Sequence, residues 1–358
     1  MPWSPPAGKK ISVAVLGATG AVGQTFIRLL ANHPWFEVKE VAASERSEGK
    51  KYSDAAKWLE GTMPSSVANL VVKPVDPARV ESEVTFSALD SSVAGDVELA
   101  FAKAGRFVLS NAKNFRMHDD VPLVIPEVNA DHLQLIARQR RERGWSGAIV
   151  TNANCAATVA AMALAPLEQA YGIDTLFLTT MQAVSGAGYP GVPSLDILGN
   201  VIPYIADEEP KLELEMTKLL GRYENGAVKL APMRVSSHTN RVAVEHGHTI
   251  CITASFTKPA TVDEARETLR SWRGAESTLG LPSRPEFPLF VTDEANRPQP
   301  RRDVNAGAGM TVTVGRVRPD TVLDIRMVAM GHNTIRGAAG GSVLNAELLA
   351  STGQLTQA

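Results

Sequence analysis

A lone cysteine stands where a strand-like run ends and a helix-like run begins. In "TNANCAATVAAMALAP", residues 151–166, Cys155 follows the apolar "GAIVTN" and precedes a row of alanines. Asn152 or Asn154 is placed to cap a helix beginning there, which puts the thiol near the positive end of the helix dipole. That setting is expected to acidify it, raising the few per cent of thiolate a free cysteine carries at neutral pH. The same position also suits a small buried residue. Cys251 lies inside the alternating run "HTICITASF" and is read as structural.

A sulfur nucleophile needs a proton partner, most often histidine. Three of the seven histidines, His238, His246 and His248, fall in "SSHTNRVAVEHGHTICI". On one continuous strand Arg241 and His248 point to opposite faces unless the chain bends, and the glycine of "HGH" offers a bend. These histidines also fit a surface turn. A third feature is "GATGAVGQ", with Gly17, Gly20 and Gly23 between a predicted strand and a predicted helix. Such glycines let backbone N–H groups approach a pyrophosphate, although the spacing is G-x-x-G-x-x-G and a tight turn without ligand has the same pattern. About twenty residues on, where NAD enzymes place an acid for the ribose hydroxyl, the chain reads "AASERSEGKKY". Arg46, Ser47 and Lys50 there suit a 2′-phosphate, while Glu45 and Glu48 suit a solvated loop.

The elements that must position these residues fall into two halves. From Ile11, "ISVAVLG", "AVGQTFIRLLANH" and "FEVKEVAAS" form a βαβ unit, and alternation continues through "VTFSALD", "RFVLSN" and "GAIVTN". This predicts a Rossmann-like, doubly wound parallel sheet of α/β class over residues 1–154, with 1–9 a polar arm. Beyond Cys155, "TLFLTTMQAV", "RVAVEHGHTICITASF", "GMTVTVGRVRP" and "TVLDIRMVAM" predict an α+β domain with a mainly antiparallel sheet over 155–334. Helices are expected near 208–220 and 262–272. The proline-rich "LPSRPEFPLFVTDEANRPQPRRD" is read as loop.

With 358 residues, two domains of ordinary size are expected. Charge is nearly balanced, 36 basic against 38 acidic residues, so no nucleic-acid or membrane footprint stands out and a small-molecule partner is expected. Two cysteines and no apolar run of about 18 residues fit a soluble protein of the reducing cytoplasm. No metal site is read.

The blocks "VAVLGATGAVGQ", "ASERSEGK", "LSNAKNFR", "PEVN", "TNANCAAT", "MQAVSGAGYPG", "EEPKLELE", "RVAVEHGHT" and "GHNTIRGAAGGSVLNAELL" occur in an order that resembles the aspartate-semialdehyde dehydrogenases, of the branch found in fungi and archaea. The resemblance implies NADPH-dependent reductive dephosphorylation of L-aspartyl 4-phosphate to L-aspartate 4-semialdehyde, toward threonine, methionine, isoleucine and, in some organisms, lysine. It makes Cys155 the nucleophile and His248 the acid/base. Gln182 would orient the acyl group, Arg241 take the α-carboxylate and Glu208 the α-ammonium. Asn114, Arg116 and Lys211 would hold phosphate. The implied NADP-binding residues are Gly17, Thr19, Gly20, Ala21, Val22 and Gly23, then Ser44, Arg46, Ser47 and Lys50, then Ser87, Ser185, Gly186 and Asn333. A last helix, 335–358, would return to the first domain, and the family implies a homodimer or homotetramer. Ala153 stands where proline is frequent, and Ala156 and Ala157 where hydroxylated residues often follow the cysteine. Alternatives are malonyl-CoA reductase, which has no ammonium to pair with Glu208, N-acetyl-γ-glutamyl-phosphate reductase, whose cysteine neighbourhood differs, and an NADP-sensing module without turnover.

Overall fold

The computed structural model describes residues 4–5 and 9–356, so most of the expected polar arm lies outside the described residues. Strands β1 (Ile11–Leu16), β2 (Phe36–Ala43), β3 (Lys73–Pro74), β4 (Val84–Ser87), β5 (Phe107–Ser110), β6 (Leu123–Val124) and β7 (Ala148–Asn152) form one sheet in the order β3-β2-β1-β4-β5-β7-β6. Every pairing in it is parallel. Strand order reverses at β1, which pairs with β2 on one side and β4 on the other. A crevice therefore opens beyond the carboxyl ends of β1 and β4, the place where such sheets take ligands. Helices Ala21–Leu30 and Ser91–Lys103 start at that edge.

The second sheet holds β8 (Ile173–Gln182), β11 (Arg234–Arg241), β12 (His248–Phe256), β13 (Leu289–Thr292), β14 (Val312–Pro319) and β15 (Ile325–Gly331), in the order β11-β8-β12-β15-β14-β13. Its three central pairings are antiparallel and the two outer ones, β11 with β8 and β13 with β14, are parallel. A small hairpin, β9 (Arg222–Glu224) with β10 (Ala227–Lys229), stands apart. Two expectations need correction. The run "RVAVEHGHTICITASF" is two strands broken at 242–247, where Gly247 has φ +101°, because the chain must pass across the end of β8 to reach its other side. The proline-rich interval is only partly loop: it contains β13 and a helical turn, Pro300–Asp303, since Leu289–Thr292 finds β14 as a partner.

The helix Cys155–Tyr171 lies against the inner face of this sheet, and Ala156 to Leu167 are all buried. Six alanines in that stretch keep helix and sheet close, and the core continues through Leu176, Leu178, Ile250, Ile252 and Ala329. The helix Gly340–Ser351 is buried from Gly340 to Ala350 and joins the core of the first sheet through Val343, Leu344 and Leu348. This helix packs against β5 and β7 of the first sheet.

Candidate active site

Asn154 caps the Cys155 helix: its Oδ1 accepts from Ala156 N–H at 2.8 Å and Ala157 N–H at 3.1 Å. Alanine at 153, 156 and 157 leaves this cap untouched. Cys155 Sγ is 3.1 Å from His248 Nε2. The pair forms without any bend in one strand, because β8 runs between β11 and β12. Arg241 stands in register with Gln182 across β11 and β8, and His248 is the residue before Thr249, which pairs with Met181. Gln182, Arg241 and His248 thus form a row across three strand ends, all buried. The third histidine, His238, is exposed along β11.

Carboxylates close the other side. Helix Glu208–Leu219 presents Glu208 and Glu215, seven residues and two turns apart, to the cap residue. Glu208 Oε1 accepts from Asn154 Nδ2 at 2.8 Å and from Gln182 Nε2 at 3.1 Å. Glu215 accepts from Asn154 N–H at 2.6 Å and pairs with Arg116 Nη1 at 2.8 Å. Glu215 escaped the sequence reading, although the seven-residue spacing within "EEPKLELE" was the signal for it.

The expectation of an acidified thiol is overturned. Burial, with Glu208 adding to it, pushes Cys155 up to about 12 against the pull of Arg116, Arg241 and the Ala156 amide. Burial, Arg241 and His332 push His248 down to about 3. Burial thus favours the neutral form of each. The pull of the helix start, through the Ala156 amide, is outweighed by burial.

From Cys155 a cavity of about 590 Å³ runs to Ala21 and Val22 at the start of the first helix. Asn111, Arg116, Ser185, Gly186, His246, His332, Asn333 and Gly337 line it. Asn333 Nδ2 donates to Ser185 Oγ at 2.8 Å, and His246 Nδ1 is 3.0 Å from the same hydroxyl. Gly186 has no room for a side chain, since a Cβ there would meet Arg241 Nη1 at 2.8 Å and His248 Cε1 at 3.1 Å. At the far end Gly17 takes φ +75°, and Gly20, with no side-chain cap, begins the first helix. A Cβ on Gly17 would sit 2.7 Å from Ala88 O, and one on Gly23 would run into Gly17 O and lie 2.8 Å from Ala18 Cα. The glycines are steric necessities of a turn that leaves the helix N–H groups bare, and that cradle fits a dinucleotide's pyrophosphate. Thr19 contributes its carbonyl to Gln24 Nε2 at 2.9 Å.

The remaining expected residues are not all gathered. Ser44, Arg46, Ser47 and Lys50 form a surface turn after β2, held by Ser47 N–H to Ser44 O at 2.8 Å. Ser87 is buried at the end of β4. Of the three phosphate candidates only Arg116 lines the cavity. Asn114 donates to Ser91 O at 3.0 Å, and Lys211 lies 4.0 Å from Glu208.

Residues 12–136 match the semialdehyde dehydrogenase NAD-binding domain, and residues 164–336 match the semialdehyde dehydrogenase dimerisation domain. Over 95% of the chain, and 98% of the relative, it is 48% identical to an aspartate-semialdehyde dehydrogenase of Archaeoglobus fulgidus. The chain belongs to the aspartate-semialdehyde dehydrogenase family. The family's Saccharomyces cerevisiae member is 45% identical over 96% of this chain and 98% of its own. A crystal structure of the Candida albicans aspartate-semialdehyde dehydrogenase with NADP superposes with a TM-score of 0.87 at 43% identity, covering 96% of this chain and 99% of that one. Among the described residues no helix is long and apolar enough to cross a membrane.

Proposed function

We propose that the chain is an NADP-dependent aspartate-semialdehyde dehydrogenase that converts L-aspartyl 4-phosphate to L-aspartate 4-semialdehyde, in the supply of threonine, methionine, isoleucine and, where the pathway extends, lysine. The observation that carries this is the 3.1 Å contact of Cys155 Sγ with His248 Nε2 at the closed end of a cleft whose open end is an uncapped helix start. Cys155 attacks the acyl carbon and forms a thioester as phosphate departs. The glycine turn with Ser185, Gly186 and Asn333 would hold NADPH, whose chemistry there would be hydride donation to the thioester. Arg241 suits the α-carboxylate as a planar fork, and Glu208 the α-ammonium. Arg116 is the anchor for phosphate, with Asn114 and Lys211 as later contributors.

In this reading residues 1–154 bind NADP, 155–334 carry catalysis and dimerisation, and 335–358 return to the first domain. A homodimer or homotetramer is supported by the match to a dimerisation domain and by the open face of the second sheet, where Phe177 is 48% exposed. Nearly balanced charge and free cysteines support a cytoplasmic setting. Glu208, already hydrogen-bonded to Gln182, speaks against malonyl-CoA, which has no ammonium to meet it.

The test is initial NADPH formation from aspartate semialdehyde and NADP across a phosphate titration. Saturable dependence on phosphate is expected, and Arg116→Ala should raise the phosphate requirement more than the aldehyde requirement. Sustained turnover without phosphate, faster with coenzyme A, sinks the reading.

A further inference from the structure

Arg116 follows β5 of the first sheet, whereas Gln182, Arg241 and His248 stand at strand ends of the second. A long side chain on a connecting segment keeps its place beside a thiol on another element only if the packing holds it there. The helix Glu208–Leu219 does so from both of its sides. One side is hooked to the second sheet: Glu213 Oε1 accepts from Ser237 N–H at 2.9 Å and Glu209 Oε1 from Thr239 N–H at 3.0 Å, amides of the edge strand β11. These two carboxylates are four residues apart and share a helix face.

The other side holds Arg116. Glu215 Oε1 accepts from Arg116 Nη1 at 2.8 Å while its Oε2 accepts from Asn154 N–H at 2.6 Å, so one carboxylate joins the guanidinium to the residue before the thiol. One turn further along, Lys218 Nζ donates to Arg116 O at 2.8 Å, His118 O at 2.7 Å and Val121 O at 2.9 Å. Arg116 is therefore fixed at its backbone and at its tip, where Asn111 O also accepts from Nη2 at 2.8 Å. Glu215 and Lys218 are both buried. Buried charges are costly unless paired and hydrogen-bonded, and every N–H of Lys218 goes to the one segment that starts at Arg116. Arg116 Nε is buried without a partner among the described residues, so the guanidinium keeps a donor to offer an anion.

We infer that Glu215 is a positioning residue for phosphate: it holds the Arg116 guanidinium against the start of the Cys155 helix, with Lys218 holding the backbone of the same residue, so that phosphate binds at a fixed place beside the thiol. This rests on the reading of Arg116 as the phosphate anchor. Glu215 acts only through Arg116. Its two oxygens both accept from N–H groups, and an amide has one oxygen and one NH2, so Glu215→Gln sets N–H against N–H at either Arg116 or Asn154. A carboxylate that merely balanced the charge of Arg116 would compete with phosphate, and its removal would strengthen phosphate binding. Positioning has the opposite sign.

The test is initial NADPH formation from aspartate semialdehyde and NADP across a titration of inorganic phosphate, for wild type, Glu215→Gln, Arg116→Ala and the double variant. Glu215→Gln should lower kcat/KM for phosphate at least about tenfold and leave the KM for NADP within about twofold of wild type. In the Arg116→Ala background the same change should cost less than about threefold, because the residue it positions is gone. An unchanged or higher kcat/KM for phosphate in Glu215→Gln, or a loss as large without Arg116 as with it, overturns the inference and leaves the phosphate reading standing. If Arg116→Ala alone leaves kcat/KM for phosphate unaltered, that reading falls and the inference with it. Lys218→Met keeps the buried stem and removes the three N–H groups, so it reads the same hold from the backbone side if Glu215→Gln does not fold. It should lower kcat/KM for phosphate at least about threefold with the KM for NADP unchanged, and phosphate kinetics equal to wild type would overturn the inference as well.

Discussion

Two helices begin at the same edge of the first sheet, one after β1 and one after β7, and they treat their first N–H groups in opposite ways. After β1 the turn is glycine, Gly20 offers no side chain, and no side-chain cap forms. After β7, Asn154 takes two N–H groups with one oxygen, and its own N–H goes to Glu215. The first start stays open to an anionic ligand. The second is closed, so its dipole, worth about 0.3–1 kcal/mol at such an end, moves a thiol less than tenfold in ionisation and loses to burial. Position at a helix start therefore does not settle what the start does; what occupies its N–H groups settles it.

The largest break of this contrast is at the sulfur. Cys155→Ala should lower turnover by at least about 10³-fold, while NADP affinity measured by fluorescence titration stays within about twofold, because the open start is untouched. Cys251→Ala, on the outer face of β12, should remain active; equal behaviour of the two variants would mean the nucleophile is misassigned.

Between the two helix starts lies Glu98, fully buried and bonded to Ser110 Oγ at 2.8 Å. Burial pushes it up to about 7 despite Ser87, Ser110 and Arg116. From about pH 4.3, where an unfolded glutamate loses its proton, up to about 7, the native state holds a proton that the unfolded state has lost. Stability should therefore fall as pH rises through that window, by a few kcal/mol at most. Denaturant melts of Glu98→Gln should show a flatter profile there, and a profile parallel to wild type would contradict the buried-acid assignment.

Closing the open start should matter next. Gly23→Ala forces a Cβ against Gly17 O and Ala18 Cα, both backbone, so the turn must move. The KM for NADP should rise at least about tenfold, about 1.4 kcal/mol, with Cys155 alkylation by iodoacetamide unchanged. Opening the closed start is the converse. Asn154→Ala should cost about 1 kcal/mol of stability as the cap is lost and should shift the pH midpoint of Cys155 alkylation downward, since two N–H groups are freed toward the thiolate. An unchanged midpoint would show that burial alone governs the thiol.

The smallest effect is expected at the surface turn. Arg46 is exposed and lies outside the cavity, so Arg46→Ala should raise the KM for NADP only several-fold and leave that for NAD unaltered. Equal changes for both cofactors would place the 2′-phosphate elsewhere.

Much of the site was legible because its signals are local. The Asn154 cap, the helix from Cys155, the helix from Glu208 and the glycine turn each depend on residues within a turn or two of one another. Glu215 was legible in principle, through its spacing from Glu208. The relation of Arg241 to His248 was not, because strand alternation describes one strand and these residues end two, with β8 between them.

By itself the amino-acid sequence determined where strands give way to helices and which residue types stand at those junctions. Tertiary structure decided how the junctions work. Register across β11, β8 and β12 brought Gln182, Arg241 and His248 into one row, a matter of pairings between residues more than fifty positions apart. Burial decided the charge states, since the energy of a thiolate or an imidazolium depends on what surrounds it on every side, and only the packed fold specifies those surroundings.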